Sequence, residues 1–449
     1  MVDRVAPKVA VIGAGYAGLA CAVELAAAGV PVDVFEASRT LGGRARAVEI
    51  MDELSGVTLD NGAHILVGAY RETLRLIAKV SPGGTALRRE PLHLEFPGHV
   101  KVAAPRLPAP LHLAWALLTA QGLSFKEKIA ALQFMRAQQK RGFRLPADMS
   151  TADLLAAHRQ PERVCRFLWE PLCLAALNTP VAIASAQVFL NVLRDSLAAE
   201  SAASDLLLPA TDFSTLFPDP AARFIESRGG SVQRATRIHA LTRTDAGWQV
   251  DLSGPYDQLV LAVAPYHLPK LLSPHPTFAG LLHQVAAFTW QPIVTCYLAY
   301  PGATLLPFPM IGLDTTKGGH AQWLFDRGAL CGQSGILAAV ISGAGPHQAL
   351  SHAALGEAIH AEIAALLPGL PAPRHTWVIE EKRATFACTP DLERPPTATA
   401  EPNVWLAGDY VAGDYPATLE GAVRSGVAAA RAILDLTPPR SAGPAPAPH

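Results

Sequence analysis

Three glycines and one acidic residue near the N-terminus have the spacing of a phosphate-binding turn. Gly13-x-Gly15-x-x-Gly18 follows the β-branched run VAVI, and Glu36 ends a second apolar run, VDVF. In such a unit the first glycine makes a tight turn, the second lets a pyrophosphate approach the backbone, and the third lets helix and strand pack closely. Free N–H groups at the helix start bind the phosphates, and the acidic residue accepts a hydrogen bond from a ribose hydroxyl. The pattern predicts a dinucleotide-binding βαβ unit.

The same stretch is apolar enough to suggest a signal peptide or a membrane span instead. Residues 9–30 carry a single charge, Glu24, and Lys8 precedes them. A span needs about 20 apolar residues, and a secretory signal needs a basic start and a short apolar region. Neither explains the glycine spacing, the alanine-rich helix predicted over 19–28, its stop at Gly29 or the strand that follows. We therefore favour the βαβ interpretation.

Composition and charge limit the class of protein. The chain has 449 residues, of which 50% are hydrophobic and 17% charged, and its formal net charge is −1. This length favours two domains, and the balanced charge disfavours a nucleic-acid partner. The six cysteines include no Cys-x-x-Cys pair, which predicts reduced thiols in a cytoplasmic protein. No metal is expected, because the histidines and cysteines lack metal-ligand spacing.

A glycine-rich turn after the second predicted strand indicates which dinucleotide binds. Gly42-Gly43-Arg44 comes six residues after Glu36. A flavin domain uses such a turn to carry the backbone along the second phosphate with an arginine beside it, whereas a nicotinamide domain does not need it. The alternative is an ordinary turn with a solvated arginine.

The C-terminal part of the chain supplies a second flavin motif. In WLAGDYVAGDYPATLEGAV a strand ends in Gly408-Asp409, and a helix is predicted to begin near Thr418. Asp409 can accept a hydrogen bond from a ribityl hydroxyl. The helix N-terminus favours the negative charge of a reduced flavin's pyrimidine edge. Together the two motifs favour FAD, although the Asp can also be incidental to a strand–loop–helix.

The remaining pattern predicts a nucleotide domain interrupted by two insertions. We expect helices over 124–145, 150–200 and about 351–366, a helix followed by strands over 223–252, strands over 258–265, 290–300 and 335–342, and a strand–helix unit over 403–434. The predicted fold is α/β, with a Rossmann-like FAD-binding domain (1–85, 220–270 and 400–436), an inserted α+β substrate-binding domain (86–219 and 271–399) and a disordered tail (437–449).

Several longer motifs resemble one enzyme family. They are GAGYAGLA, LGGRAR, LDNGAHILVGAYRETLRLI, FLWEPLCLAALNTP, EKRATFACTP and LAGDYVAGDYPATLEGAVRSG. From about residue 8 to 434 the chain resembles the hydroxysqualene dehydroxylases of the flavin amine oxidase and carotenoid desaturase superfamily. The resemblance implies an enzyme of squalene and hopanoid synthesis that uses reduced FAD to convert hydroxysqualene into squalene. One difference is Ala63, where the family pattern has glutamine, which puts a side-chain hydrogen bond at this position in doubt.

The expected cofactor contacts combine the motif residues with positions around them. They are Gly13, Gly15, Ala17, Gly18, Glu36, Ala37, Gly42, Gly43, Arg44, Gly62, Ala63, His64, Ile238, Gly408, Asp409, Thr418, Leu419, Glu420 and Ala422. Cys388 lies about where some relatives carry a cysteine-linked flavin. The neighbouring motif differs, so we expect non-covalent FAD.

The implied reaction requires a general acid, because hydroxide is a poor leaving group from an allylic carbon. Reduced flavin supplies hydride, and a dry apolar cavity keeps water from the developing cation. The residues leave four candidates for the acid: His64 first, for its expected proximity to the flavin, then Glu170, Asp212 and Tyr415. Structural alternatives exist: His64 can be a satisfied buried residue and Glu170 can brace a helix, while Arg383 is expected to pair with a carboxylate.

The expected partner is a C30 isoprenoid, which dissolves in membrane rather than in water. The segment LHLAWALL, residues 111–118, is too short to span a bilayer and predicts a buried or interfacial helix. We expect a cytoplasmic protein with peripheral contact at the inner face of the cytoplasmic membrane; the oligomeric state and the electron donor stay open. Two other functions remain: a carotenoid-type desaturase, which uses the same cofactor oxidatively, and a non-catalytic prenyl-lipid carrier on the same fold.

Overall fold

The structure is a computed structural model that describes residues 7–51, 56–84, 86–303 and 306–436. The tail predicted over 437–449 lies outside the described residues. The strands, in chain order, are β1 (Val9–Ile12), β2 (Val32–Phe35), β3 (Ala47–Ile50), β4 (Val57–Asp60), β5 (Leu66–Val67), β6 (Leu87–Glu90), β7 (His93–Phe96), β8 (Val100–Ala103), β9 (Leu206–Pro209), β10 (Ser231–Gln233), β11 (Leu241–Thr244), β12 (Gly247–Val250), β13 (Ser253–Tyr256), β14 (Gln258–Leu261), β15 (Trp290–Ala299), β16 (Met310–Gly312), β17 (Trp323–Asp326), β18 (Ile336–Ser342), β19 (His375–Phe386) and β20 (Val404–Leu406). The α-helices are α1 (Tyr16–Ala27), α2 (Arg71–Val80), α3 (Leu111–Thr119), α4 (Phe125–Lys140), α5 (Thr151–Ala157), α6 (Glu162–Val164), α7 (Glu170–Leu177), α8 (Ala186–Ser196), α9 (Phe213–Leu216), α10 (Pro218–Glu226), α11 (Leu268–Leu272), α12 (Ala279–Ala286), α13 (Arg327–Cys331), α14 (His352–Leu366) and α15 (Leu419–Asp435).

A parallel sheet in the order β10-β2-β1-β14-β20 carries the N-terminal βαβ unit. Strand β1 pairs in parallel with β2 on one side and with β14 on the other. Both β1 and β14 are buried along their whole length, as expected for parallel strands covered on both faces. The predicted α/β, Rossmann-like class is confirmed. Its strands come from the beginning, the middle and the end of the chain, but the domain boundaries given above stay a prediction.

A second five-stranded sheet, in the order β16-β17-β18-β15-β19, is antiparallel. The long strand β15 lies between β18 and β19, and its residues 294–299 are buried. Helix α14 packs Ile359 and Ile363 into the same hydrophobic cluster as Val294 and Leu298 of β15. The strands predicted over 290–300 and 335–342 and the helix predicted over 351–366 are confirmed.

The helical region runs from α3 to α8 and differs from the prediction in two respects. Helix α4 begins in a capping box between Ser124 and Glu127, and it ends at Lys140 rather than near 145. The segment predicted as helical over 150–200 is divided into α5 to α8. Residues Cys165–Trp169 between α6 and α7 form a π-helical turn. Pro171, two residues after this turn, has no N–H to donate to the carbonyl four residues earlier, which gives the wider turn a physical reason.

Two large hydrophobic clusters meet at the parallel sheet. One packs α1 against α15 through residues such as Leu19, Leu25 and Val423. The other extends from Ile12 and Phe35 of the sheet into the helical region, where it includes Phe167 and Trp169 of the π turn and Leu117 of α3. The apolar interior therefore continues from the nucleotide unit to the helices.

Candidate cofactor and active site

The two glycine-rich turns lie against each other at the carboxyl end of β1. Gly13 has φ +105°, and a Cβ there would lie 2.6 Å from the carbonyl oxygen of Ala262. Gly42 donates its N–H to the Ala14 carbonyl (2.9 Å) and forms a parallel bridge with Gly15. Since a Cβ on Gly43 would lie only 3.3 Å from the Gly15 Cα, side chains at this junction would fill the space that a backbone-bound phosphate needs.

The carboxylate of Glu36 is held at the edge of this cradle. Its Oε2 accepts from the Ala14 N–H and its Oε1 from the Ser38 N–H, both at 2.8 Å. Of the two neighbours expected to contact the cofactor, Ala37 is exposed and Ile238 is half-buried and packs against the hydrophobic cluster. The geometry fits the predicted ribose acceptor, with the carboxylate oriented by backbone donors.

We predict that Glu36→Ala weakens FAD binding while the fold persists. A lost hydrogen bond to a charged group is worth roughly 1.5–3 kcal/mol, or about a tenfold to hundredfold change in affinity. Fluorescence titration of apoprotein with FAD measures the change, and circular dichroism checks the fold. Glu36→Gln, which keeps one acceptor oxygen, should lose less. Wild-type affinity in Glu36→Ala would remove this residue from the site.

Arg44 and Asp409, predicted from separate motifs, form an ion pair. Arg44 Nη2 lies 2.7 Å from Asp409 Oδ1, and the aspartate side chain is 8% exposed. Gly408 donates its N–H to Ser425 Oγ (2.8 Å), which ties the strand end to α15. Among the described residues only Arg44 hydrogen-bonds to the Asp409 carboxylate, through Oδ1. Oδ2 can therefore accept from a ribityl hydroxyl while the pair stays intact.

We predict that Asp409→Ala also weakens FAD binding by about tenfold to a hundredfold, because it removes an acceptor and leaves Arg44 without its carboxylate. Retained flavin per chain, read from the absorption spectrum after gel filtration, measures the loss. The conservative Asp409→Asn variant keeps an acceptor oxygen and should retain more flavin. Full flavin content together with a lowered melting temperature would make Asp409 a purely structural residue.

Helix α15 begins after Thr418, where the sequence predicted, but the Glu420 side chain points away from the expected cofactor position. Thr418 Oγ1 accepts from the Gly421 N–H (3.1 Å), and Leu419 and Ala422 are half-buried beside it. The Glu420 carboxylate is fully buried and faces α2, where it accepts from the N–H of Glu72 (3.1 Å) and from the N–H and hydroxyl of Thr73 (3.0 and 2.8 Å). Because the Glu420 side chain is engaged with α2, only its backbone N–H stays a predicted cofactor contact.

The loop after β4 carries His64 and rests on a buried ion pair. Arg327 Nη1 lies 3.0 Å from Asp60 Oδ2, and the two side chains are 7% and 5% exposed. Asp60 Oδ1 accepts from the Phe213 N–H (2.9 Å), and its carbonyl accepts from the Tyr297 hydroxyl (2.8 Å). The Asp60 carboxylate therefore ties this loop to α9 and α13. The residue types alone did not indicate Arg327 or Tyr297.

The His64 ring is fixed within that loop. Nδ1 lies 2.6 Å from the Gly62 carbonyl oxygen, so Nδ1–H donates and Nε2 faces away from this bond. The ring centroid is 5.2 Å from that of Phe213. Burial lowers the pKa of His64, opposed by the Gly62 carbonyl and the Asp60 carboxylate. The imidazole is therefore neutral near pH 7 and gains its second proton, on Nε2, only in more acidic solution.

The three other acid candidates are less well placed. Asp212 caps α9, with its two oxygens accepting from the N–H and hydroxyl of Thr215 (2.9 and 2.7 Å), although it adjoins the ring that touches His64. Tyr415 is buried, which raises its pKa, and its hydroxyl accepts from Arg424 (3.3 Å). Glu170 is exposed at the start of α7. Of the three, Asp212 is the one adjacent in sequence to a residue, Phe213, whose ring packs near the His64 ring.

Two buried hydroxyls beside the cradle lack partners among the described residues. They are Thr295 Oγ1 and Tyr410 Oη. A Cβ on Gly62 would lie 3.8 Å from Thr295 Oγ1, and the Tyr410 ring packs against Gly408. Buried polar atoms are normally paired. Together with the glycine cradle, these atoms fit a polar cofactor that extends from Gly15 to the His64 loop. Thr295 gave no signal in the sequence, because it lies in an otherwise apolar strand.

An apolar cavity lies in the helical region. Its lining includes Leu94, Leu117, Met135, Leu168 and Trp169. Trp169 is therefore part of the cavity wall, whereas the neighbouring Glu170 is not among the residues that line it. A wall of this kind suits a hydrocarbon and excludes water.

Two further expectations concern Cys388 and Arg383. Burial raises the pKa of the Cys388 thiol to about 12, which keeps it protonated and unreactive. The Cys388 backbone is fixed by a hydrogen bond from its N–H to Thr179 Oγ1 (3.0 Å) and by one from the Ser185 N–H to its carbonyl (2.7 Å).

Arg383 makes no ion pair within the described ranges. Its guanidinium lies 4.8 Å over the Tyr266 ring, so the prediction that it pairs with a carboxylate is wrong. All six cysteines are free.

No helix in the described part of the chain is both long and apolar enough to cross a bilayer. The same residues contain no group of three or more histidine, cysteine, aspartate or glutamate side chains placed to hold a metal ion.

The parallel sheet with its glycine turns, together with a separate antiparallel sheet, defines a Rossmann-like dinucleotide-binding fold. The chain belongs to the flavin-containing amine oxidoreductase family, whose pattern matches residues 16–434. Membership of this family implies FAD as the cofactor.

Named relatives cover almost the whole chain. A hydroxysqualene dehydroxylase from Sinorhizobium fredii is 29% identical over 460 residues, which cover 96% of this chain and 99% of the relative. A zeta-carotene desaturase from Synechocystis is 25% identical over 478 residues, covering 95% and 97%. An oxidoreductase structure from Methanosarcina mazei superimposes with a TM-score of 0.73 at 16% identity, covering 94% of this chain and 99% of that one. The last comparison concerns the fold alone.

Proposed function

We propose that this protein is an FAD-dependent enzyme that removes the hydroxyl group of hydroxysqualene reductively and releases squalene. The observation that carries the proposal is the likeness over nearly the full length of both chains to a hydroxysqualene dehydroxylase. The apolar cavity and the fixed histidine beside the flavin cradle support it. In the reaction the C–O bond breaks, a C–H bond forms, and the hydroxyl leaves as water after it receives a proton.

The protein's own residues have three tasks in this reaction. Reduced FAD, bound non-covalently, supplies the hydride. Gly15, Gly43 and Glu36, at the carboxyl end of β1, would hold the dinucleotide, and the Arg44–Asp409 pair would bind its ribityl hydroxyls. His64, protonated on Nε2, gives its proton to the departing hydroxyl. The apolar wall formed by residues such as Leu117 and Leu168 keeps water from the allylic cation.

The carotenoid-type desaturase is the second candidate, favoured by the near full-length similarity to a zeta-carotene desaturase. Such an enzyme removes hydride from its substrate, so it consumes oxidised flavin rather than reduced flavin. A non-catalytic prenyl-lipid carrier is the third. The flavin motifs at Glu36, Arg44 and Asp409 argue against it, and a colourless purified protein would favour it.

Product analysis with the two flavin states separates these functions. Enzyme is photoreduced without oxygen or left oxidised, and each form is incubated in detergent with hydroxysqualene or with phytoene. We expect squalene only from reduced enzyme with hydroxysqualene. A newly desaturated product from oxidised enzyme with phytoene, and no squalene, would assign the desaturase function. No product in any of the four mixtures, from protein that lacks flavin, would assign the carrier.

The cellular location of the protein and its division into domains form part of the same proposal. We infer a cytoplasmic protein that acts at the inner face of the cytoplasmic membrane, because a C30 substrate resides in lipid. The FAD-binding domain would comprise 1–85, 220–270 and 400–436, and the substrate-binding domain 86–219 and 271–399. The parallel sheet, which takes its strands from the first set of segments, supports this division.

A further inference from the structure

Exposed apolar side chains are concentrated on α3 and on the chain segments that directly flank it. Among the described residues ten large apolar side chains are exposed, and five of them lie between 107 and 125. We call these five the α3 apolar face: Leu107 (37% exposed), Leu111 (57%), Trp115 (55%), Leu118 (44%) and Phe125 (72%). Residues 111, 115 and 118 have helical i, i+4, i+7 spacing, so they share one side of α3. A patch of this kind marks an interaction surface.

The other side of the same helix forms a wall of the apolar cavity. Leu113, Ala116 and Leu117 of α3 line it together with Met135 of α4 and Trp169 of the π turn. Helix α3 is therefore apolar on both sides and is the layer between the cavity and the exposed α3 apolar face. A hydrocarbon that reached this face from a lipid phase would have only one helix to pass.

The charged residues that flank the α3 apolar face along the chain are basic. Between Glu95 and Glu127 the chain has no aspartate or glutamate, but it has Lys101, Arg106 and Lys126. Arg106 and Lys126 are exposed beside the two ends of the face. Glu127 is engaged in the capping box of α4. Exposed apolar side chains flanked by basic residues suit the surface of an anionic bilayer, where each lysine or arginine adds attraction.

We propose that the α3 apolar face docks on an anionic lipid bilayer and that the substrate enters the cavity from the lipid past α3. Trp115, with its amphipathic indole, sits at the headgroup level, and Leu111 and Leu118 enter the acyl boundary. The entry route rests on the proposed function, because it requires a lipid substrate. The docking itself requires only the surface described above.

Sedimentation with vesicles tests the docking. FAD-loaded full-length protein is mixed with vesicles of phosphatidylcholine alone or with 30% phosphatidylglycerol added. We expect partition to the anionic vesicles, lowered about tenfold or more by the triple variant Leu111→Ser, Trp115→Ser, Leu118→Ser. Lys126→Glu should lower it about fivefold. Leu252→Ser, at a side chain 97% exposed on another surface, should change nothing.

A spectroscopic measurement covers the case in which the triple variant is poorly folded. Brominated lipids should quench wild-type tryptophan fluorescence, and the conservative Trp115→Phe variant should lose most of that quenching. The proposal would be overturned if the wild-type protein bound neither type of vesicle, or if a folded triple variant bound as the wild type does. A wild-type dimer that the triple variant converts to monomer would assign the face to a second copy instead.

The same variants distinguish this proposal from the proposed function. With hydroxysqualene supplied in vesicles the triple variant should turn over slowly, whereas in detergent micelles it should match the wild type. Vesicle binding without any turnover of hydroxysqualene would contradict the proposed reaction and leave the docking intact.

Discussion

Glu420→Ala is expected to lower the free energy of unfolding by about 3–5 kcal/mol, because it deprives buried donors of their acceptor. The carboxylate is 0% exposed and accepts three hydrogen bonds from the first turn of α2. Without it, the N–H groups of Glu72 and Thr73 and the Thr73 hydroxyl have no acid oxygen to bind. Arg424 adds little to the loss, since its side chain is 41% exposed and hydrated. Urea denaturation followed by circular dichroism measures the change.

An exposed glutamate provides the control for this variant. Glu200 forms a surface ion pair with Arg71, and its side chain is 65% exposed. Glu200→Ala should therefore change the unfolding free energy by no more than about 0.5 kcal/mol. Glu420→Gln, which keeps one acceptor oxygen, should lie between the two. An unfolding curve for Glu420→Ala that coincides with the wild type would show that the α2–α15 junction is not held as described.

His64→Ala is expected to slow the conversion of hydroxysqualene by about a hundredfold or more, the usual contribution of a general acid. Burial lowers the pKa of His64 below the ordinary histidine value of 6.5. The protonated form of His64 therefore becomes more abundant as the pH falls. The wild-type rate should therefore rise from pH 8 toward pH 5.5. The His64→Ala rate should lose this rise while the variant still retains FAD. Single-turnover rates across this pH range measure both effects.

Two comparisons interpret the His64 result. His283→Ala, at an exposed position of α12, should leave both the rate and its pH dependence unchanged. If His64→Ala also leaves them unchanged, the proton comes from another group. Asp212 would then be tested first, because it adjoins the His64 loop, followed by Tyr415 and Glu170. That outcome would move the acid and leave the reaction assignment as it stands.

The sequence predicted best those parts of the fold that depend on neighbouring residues. The glycine turn, the strand before Glu36 and the capped start of α15 at Thr418 each follow from local chemistry, and the structure has them where expected. The predicted α14 differs from the observed bounds, His352–Leu366, by a single residue. Short-range hydrogen bonding and periodicity determine such elements, and both are visible in one stretch of chain.

The parts that escaped prediction depend on contacts between distant segments. Asp60 and Arg327 are 267 residues apart in the chain, and nothing near either residue indicates the other. Glu420 was expected at the cofactor because its helix begins there, but its side chain turns toward α2, which a local pattern cannot show. The same holds for Thr295, whose buried hydroxyl becomes noticeable only when the fold places it near Gly62.

The most direct test of the central claim is a single turnover without oxygen. Photoreduced enzyme is mixed with one equivalent of hydroxysqualene in detergent, the flavin absorbance is followed, and the lipid product is quantified from the same sample. We predict that the bleached flavin returns to its oxidised yellow form as one squalene forms per flavin. Reduced enzyme that stays bleached with hydroxysqualene, while oxidised enzyme bleaches on addition of phytoene, would contradict the account.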